Sequence, residues 1–128
     1  MSFFNRMPFV AGLAIAVLAA APAFAHHSFA MFDQEKDVRL EGTVKEFQWT
    51  NPHCWVQLIV WDPATAKESE WSLEGLGPNG LGRNGWTKTS LKPGDKVSAL
   101  IHPLRDGTRG GQMVTVTVGG KELVNAAH

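Results

Sequence analysis

Chemistry in this chain would have to come chiefly from histidine. Of its five, His26, His27, His53 and His102 lie where an imidazole could reach a ligand, while His128 stands at the chain end. His26 matters most if it becomes a terminal residue, because an N-terminal histidine chelates through its α-amino nitrogen and ring Nδ1 together. One or two further imidazoles would complete a nitrogen set suited to Cu(II), with zinc the runner-up for three imidazoles. Met31 adds a soft thioether for Cu(I). Such a site would sequester or deliver the ion, and it would weaken in acid as its imidazoles gained protons. The spacing is less specific than the residue types, for there is no H-x-x-x-H, no C-x-x-C and no methionine-rich repeat.

Whether His26 is terminal depends on the segment before it. Residues 8–25 carry no charge, follow a short stretch holding Arg6, and end in Ala23-Phe24-Ala25. These are the parts of a secretory signal peptide with an A-x-A-like cleavage site. Cleavage after Ala25 leaves residues 26–128, beginning His26-His27-Ser28, in the periplasm or outside the cell. Loss of Arg6 takes the formal charge from zero to minus one. A neutral exported domain is not a nucleic-acid binder, since phosphate affinity needs clustered Lys and Arg. Residues 26–128 hold no apolar run long enough to span a bilayer as a helix.

Other reactive groups offer less. Cys54 is the only cysteine, so no intramolecular disulfide exists, and Trp55 and Val56 beside it mark it as a small buried hydrophobe. No serine lies in a G-x-S-x-G elbow, and the glycine-rich Gly75–Gly80 segment lacks the Lys-Ser/Thr and the helix of a phosphate loop. Glu70, Ser72 and Glu74 share the polar face of one strand and read as solvation. The chain holds five Trp and seven Phe. Trp49, Trp55, Trp61 and Trp71 could stack on a planar or sugar ligand, although alternation buries most of them. Trp49 and Asn51 stand out as ligand-binding candidates because they border the Asn51-Pro52-His53 turn.

The elements that must position these groups are strands. From Asp37, Val38, Leu40, Gly42 and Val44 alternate with Arg39, Glu41, Thr43 and Lys45, a half-buried strand. Near Glu46 the alternation flips to Phe47 and Trp49, which predicts a bulge or sharp bend. Residues 54–61 are apolar on both faces, as in a central strand, and 68–74 alternate again. Five glycines between 75 and 85 allow no more than a short helical turn around Leu81. Leu91-Lys92-Pro93-Gly94-Asp95 is a tight turn launching a strand over 96–102. Residues 112–118 form the last strand, rich in β-branched residues.

The expected organisation is therefore a signal peptide (1–25), an N-terminal arm (26–36) docked through Phe29 and Phe32, a β-domain (37–118) and a frayed tail (119–128). Five strands with an irregular linker after the third, and no long helix, predict an all-β protein: a small five-stranded OB-like barrel with an extended N-terminal arm.

The strings HHSFAMFD, EGTVKEFQWTNPH, GW, LKPGD and HPLRDG resemble domain-of-unknown-function family 6152, small exported bacterial proteins. The resemblance runs from His26 to about Val118 and implies an exported β-rich domain without assigning an activity. That family commonly has a small polar residue such as Ser after Asn-Pro-His, so Cys54 is a departure and a poor candidate for shared chemistry. The layout is also similar, at the level of shape, to small periplasmic OB-fold proteins.

The leading expectation is a non-enzymatic periplasmic binding module, most sharply a copper-binding one using His26 with His27, His53 or His102. The alternative is a metal-free interaction or envelope-stress module that docks an envelope protein through an aromatic face or a strand edge. A copper redox enzyme is a distant third, as nothing marks a substrate cleft.

Overall fold

A computed structural model describes residues 30–125. The signal segment, Phe29, His26, His27 and His128 lie outside the described residues. Strands β1 (Val38–Gln48), β2 (Trp55–Asp62) and β3 (Lys67–Glu74) are followed by the short helix α1 (Pro78–Arg83). Strands β4 (Lys96–Pro103), β5 (Gly110–Val118) and β6 (Lys121–Val124) complete the fold.

The strands form one sheet in the order β3-β2-β1-β4-β5-β6, and an additional β3–β5 pairing closes the first five into a barrel. All neighbours are antiparallel except β3 and β5, which run parallel through Ser72–Gly110, Leu73–Gly111 and Glu74–Gln112. This is the expected OB-like barrel with one strand added. Strand β1 serves both halves, pairing with β4 over Val38–Thr43 and with β2 over Gly42–Gln48. Its register shifts between Val44 and Glu46, the place where the alternation of the sequence flips. Lys45 is the extra residue, so Phe47 and Val44 can both turn inward across the bend.

Closure needs two close approaches. A Cβ on Gly42 would lie 2.6 Å from the Ile59 carbonyl oxygen and 2.8 Å from Leu58 Cγ. One on Gly111 would lie 2.6 Å from the His102 carbonyl oxygen. Within the barrel, Val44, Val56, Leu58, Leu73, Ala99, Ile101 and Val116 make the apolar core, plugged at one end by Leu81 and Trp86. Burial of such side chains stabilises by about 1.5–3 kcal/mol each.

The tail departs from expectation. In place of frayed chain, residues 121–124 pair with β5, and Leu123 and Asn125 are buried. Local sequence is uninformative there because the ordering is tertiary. The Trp86 indole Nε1 donates to the Val124 carbonyl at 2.8 Å, and Asn84 Nδ2 donates to the Asn125 carbonyl at 2.7 Å. The Asn125 side chain accepts from the Leu76 amide at 2.9 Å and donates to the Met113 carbonyl at 2.8 Å. One buried amide thus joins β5 to the segment between β3 and α1.

The described part of the arm lies against the barrel end. Phe32 is buried and bridges to Leu104, as expected from its type. The Asp33 amide donates to the Pro103 carbonyl at 2.8 Å, and the Arg105 amide donates to the Met31 carbonyl at 2.8 Å.

Candidate functional site

The β1–β2 connection, Thr50-Asn51-Pro52-His53, is held by its own bonds and by the segment beyond β3. The Thr50 hydroxyl donates to the His53 carbonyl at 2.7 Å. The Cys54 amide donates to the Leu76 carbonyl, and the Gly75 amide to the Cys54 carbonyl, at 3.0 and 2.9 Å. Pro52 follows a cis peptide bond, and its carbonyl oxygen would come within 2.5 Å of a Cβ on Gly77. The turn is thereby pressed onto the end of β3.

That packing brings the His53 Nδ1 onto the Glu74 carboxylate. Glu74 ends β3, opposite Trp55 of β2 and Gln112 of β5. The sequence reading placed Glu74 on a solvated face with Glu70 and Ser72; its residue exposure is instead 8%. A carboxylate so far removed from water needs a partner, and the imidazole N–H of His53 supplies it. A proton on Nδ1 leaves the lone pair of a neutral imidazole on Nε2. The His53 side chain keeps 39% of its exposure, so this ring is oriented by a buried carboxylate and still open to water. A carboxylate in this position fixes the tautomer and orientation of the ring it bonds.

The arm runs beside Glu74. Between it and the barrel lies a hollow of about 250 Å³ bordered by Met31, Phe32, Trp55, Glu74 and Arg109. A small void of about 50 Å³ continues past Glu74 to His53 and Gln112. Arg105 anchors the start of the described arm, its Nε donating to the Ala30 carbonyl at 3.1 Å. Further along, Gln34 Nε2 donates to Gln112 Oε1 at 2.8 Å.

His102 lies in the same row of the barrel, opposite Gln112, which itself lies opposite Glu74. Two strand spacings therefore separate His102 from Glu74, about 10 Å across the sheet. His102 is buried, at 5% exposure. Its Nδ1 is 2.9 Å from the Lys36 carbonyl and 3.4 Å from Asp37 Oδ1, which fastens the far end of the arm. His53 and His102 thus lie toward the same end of the barrel but apart, one on the turn and one beneath the arm. Among the described residues, no three His, Cys, Asp or Glu side chains are grouped to hold a metal ion.

Trp49 is half-buried, packed on the core and edge-to-face with Phe47 at 5.8 Å, while Asn51 is exposed on the turn. Cys54 is fully buried, and burial pushes its thiol up from the ordinary range, as befits a structural residue. Trp55, a stacking candidate by type, borders the hollow, whereas Glu74 and Arg109 carry no sign of a site in the sequence. Glu74 gives no local signal because its partner His53 comes from a different turn.

No helix among the described residues is long and apolar enough to cross a membrane. No curated protein matches the chain, and no solved structure does. The model of a family of unknown function, DUF6152, matches residues 14–113, from within the apolar N-terminal stretch into β5. The span takes in β1 to β4, α1 and the start of β5, and the chain belongs to this family.

Proposed function

We propose that this chain is an exported, periplasmic binding module that captures copper at the arm end of its barrel, between a processed N-terminus and His53. The observation that carries the reading is the His53–Glu74 pair, an exposed imidazole whose Nδ1 is held by a buried carboxylate. Covalent reach supports it as well. Residues 26–29 precede Ala30, whose carbonyl is held by Arg105, and four residues span at most about 14 Å. A terminus freed at His26 would bring its amino nitrogen and ring Nδ1 within that radius of Ala30. The groove bordered by Met31 also supplies a thioether for the reduced ion. His27 is the further imidazole of the proposed set, His102 being engaged beneath the arm, and zinc is the second metal. The metal-free alternative, an envelope protein added to a strand edge, has less support. Edge strand β6 is only four residues long and carries exposed Lys121 and Glu122, features that discourage strand addition.

The test is native mass spectrometry of protein exported to a periplasm, with copper then added. A mass beginning at His26 that takes up one copper ion, and loses it on His53→Ala, is the expected result. A correctly processed chain that ignores copper and zinc would overturn the reading.

A further inference from the structure

Strand β2 carries a tryptophan at each end of its outer face. Trp55 enters the arm groove, whereas Trp61, 58% exposed, stands at the opposite end. The core takes Val56 and Leu58, so Trp61 points away from it with Ile59. Two hollows, of about 470 and 500 Å³, meet at Trp61 and at Glu68, its partner in register on β3. Both volumes are in the range of ligand sites.

The charged groups bordering the pair are balanced. Glu41, Asp62 and Glu68 are met by Lys67, Lys96 and Arg109. One wall is already ordered, since the Ser98 hydroxyl donates to Glu41 Oε1 at 2.8 Å and accepts from Arg39 Nη1 at 3.0 Å. Such a lining gives a polyanion no net attraction, which disfavours nucleic acid. It offers charged and hydroxyl groups on both sides of an exposed indole, those of the Ser98–Glu41 wall held in place. The face of that ring is electronegative and attracts weakly positive C–H groups. A molecule with an apolar C–H face, a rim of neutral hydroxyls and enough length to occupy both hollows satisfies all three features.

We infer that the outer face around Trp61 is a second binding site, distinct from the arm groove, for a neutral pyranose chain. One sugar ring stacks on the indole, and its neighbours on either side reach the Ser98–Glu41 wall and the Lys67–Arg109 side.

Nitrogen-labelled mature protein, kept in chelator so that the arm site holds no metal, is titrated with cellohexaose and separately with chitohexaose. Saturable shifts are expected at the Trp61 indole N–H and at the amides of Glu68, Ser98 and Thr117 for at least one probe. Trp61→Ala should weaken binding at least about tenfold, Trp61→Phe should recover part of it, and His53→Ala should leave it unchanged. Because Trp61 is largely in water, both Trp61 variants should melt with the parent. No shift with either hexasaccharide at about 5 mM, or binding indifferent to Trp61, overturns the inference. So does a single-stranded oligonucleotide, or one defined envelope protein, that binds through Trp61 where the sugars do not.

Discussion

The imidazole of His53 and the carboxylate of Glu74 meet across the barrel end, one presented by the β1–β2 turn and the other by the last residue of β3. Glu74→Gln keeps the shape and removes the charge that orients the ring. Copper affinity of the processed chain should then fall about 10–100-fold, the usual effect of losing a supporting carboxylate. Competition titration against a chromophoric chelator reads this directly. Unchanged affinity would mean that His53 is not a ligand, or is one that needs no support.

Asn125→Ala should destabilise the fold by about 2–3 kcal/mol, because the Leu76 amide and the Met113 carbonyl lose the same buried partner. In a domain of this size that is a fall in Tm of roughly 10–20 °C. Thermal unfolding followed by near-ultraviolet dichroism measures it, and a shift of a degree or two would make the buried amide dispensable.

Cys54 should resist alkylation in the native state at pH 8. Burial favours the neutral thiol and raises its titration above the ordinary value of 9.0, and only the thiolate reacts. Since the folded value is the higher one, the associated stability is complete below pH 9 and is lost as pH rises through the folded value. Iodoacetamide labelling should therefore be slow until denaturant is added, and rapid labelling of folded protein at pH 8 would contradict this.

Asp106 should hold the β4–β5 loop down to acid pH. Its carboxylate accepts from the Thr108 hydroxyl at 2.6 Å and the Thr108 amide at 2.9 Å, bonds that keep its titration below the ordinary 3.8. A lowered folded value means that the loop's extra order is present above pH 4 and lost as pH falls through that value. Amide exchange at Thr108, corrected for its intrinsic pH dependence, should lose protection only in that window. Asp106→Asn should show no such acid transition.

The barrel was legible in the chain because its signals are local. The reversal of alternation at Glu46, the Asn51-Pro52 turn and the Pro93-Gly94 turn each act within a few residues, and each lies where the strands bend or end. The site was half legible. His53 stands out by type and by its turn, but Glu74 looks like any solvated glutamate, since its neighbours His53 and Gln112 come from far away in sequence. His102 gives no local sign of its burial, since Lys36 and Asp37 meet its ring from far away in sequence. β6 escaped because Leu123 and Asn125 find their partners in β5, Leu76 and Asn84 rather than next door.

The arm touches the barrel through Phe32, Gln34 and Lys36, yet none of the strand pairings that close the barrel runs through it. Residues 30–36 could therefore lift from the barrel end while β1 to β6 stayed paired, a local opening that costs less free energy than global unfolding. The order of this segment and the melting temperature of the domain can then be changed independently.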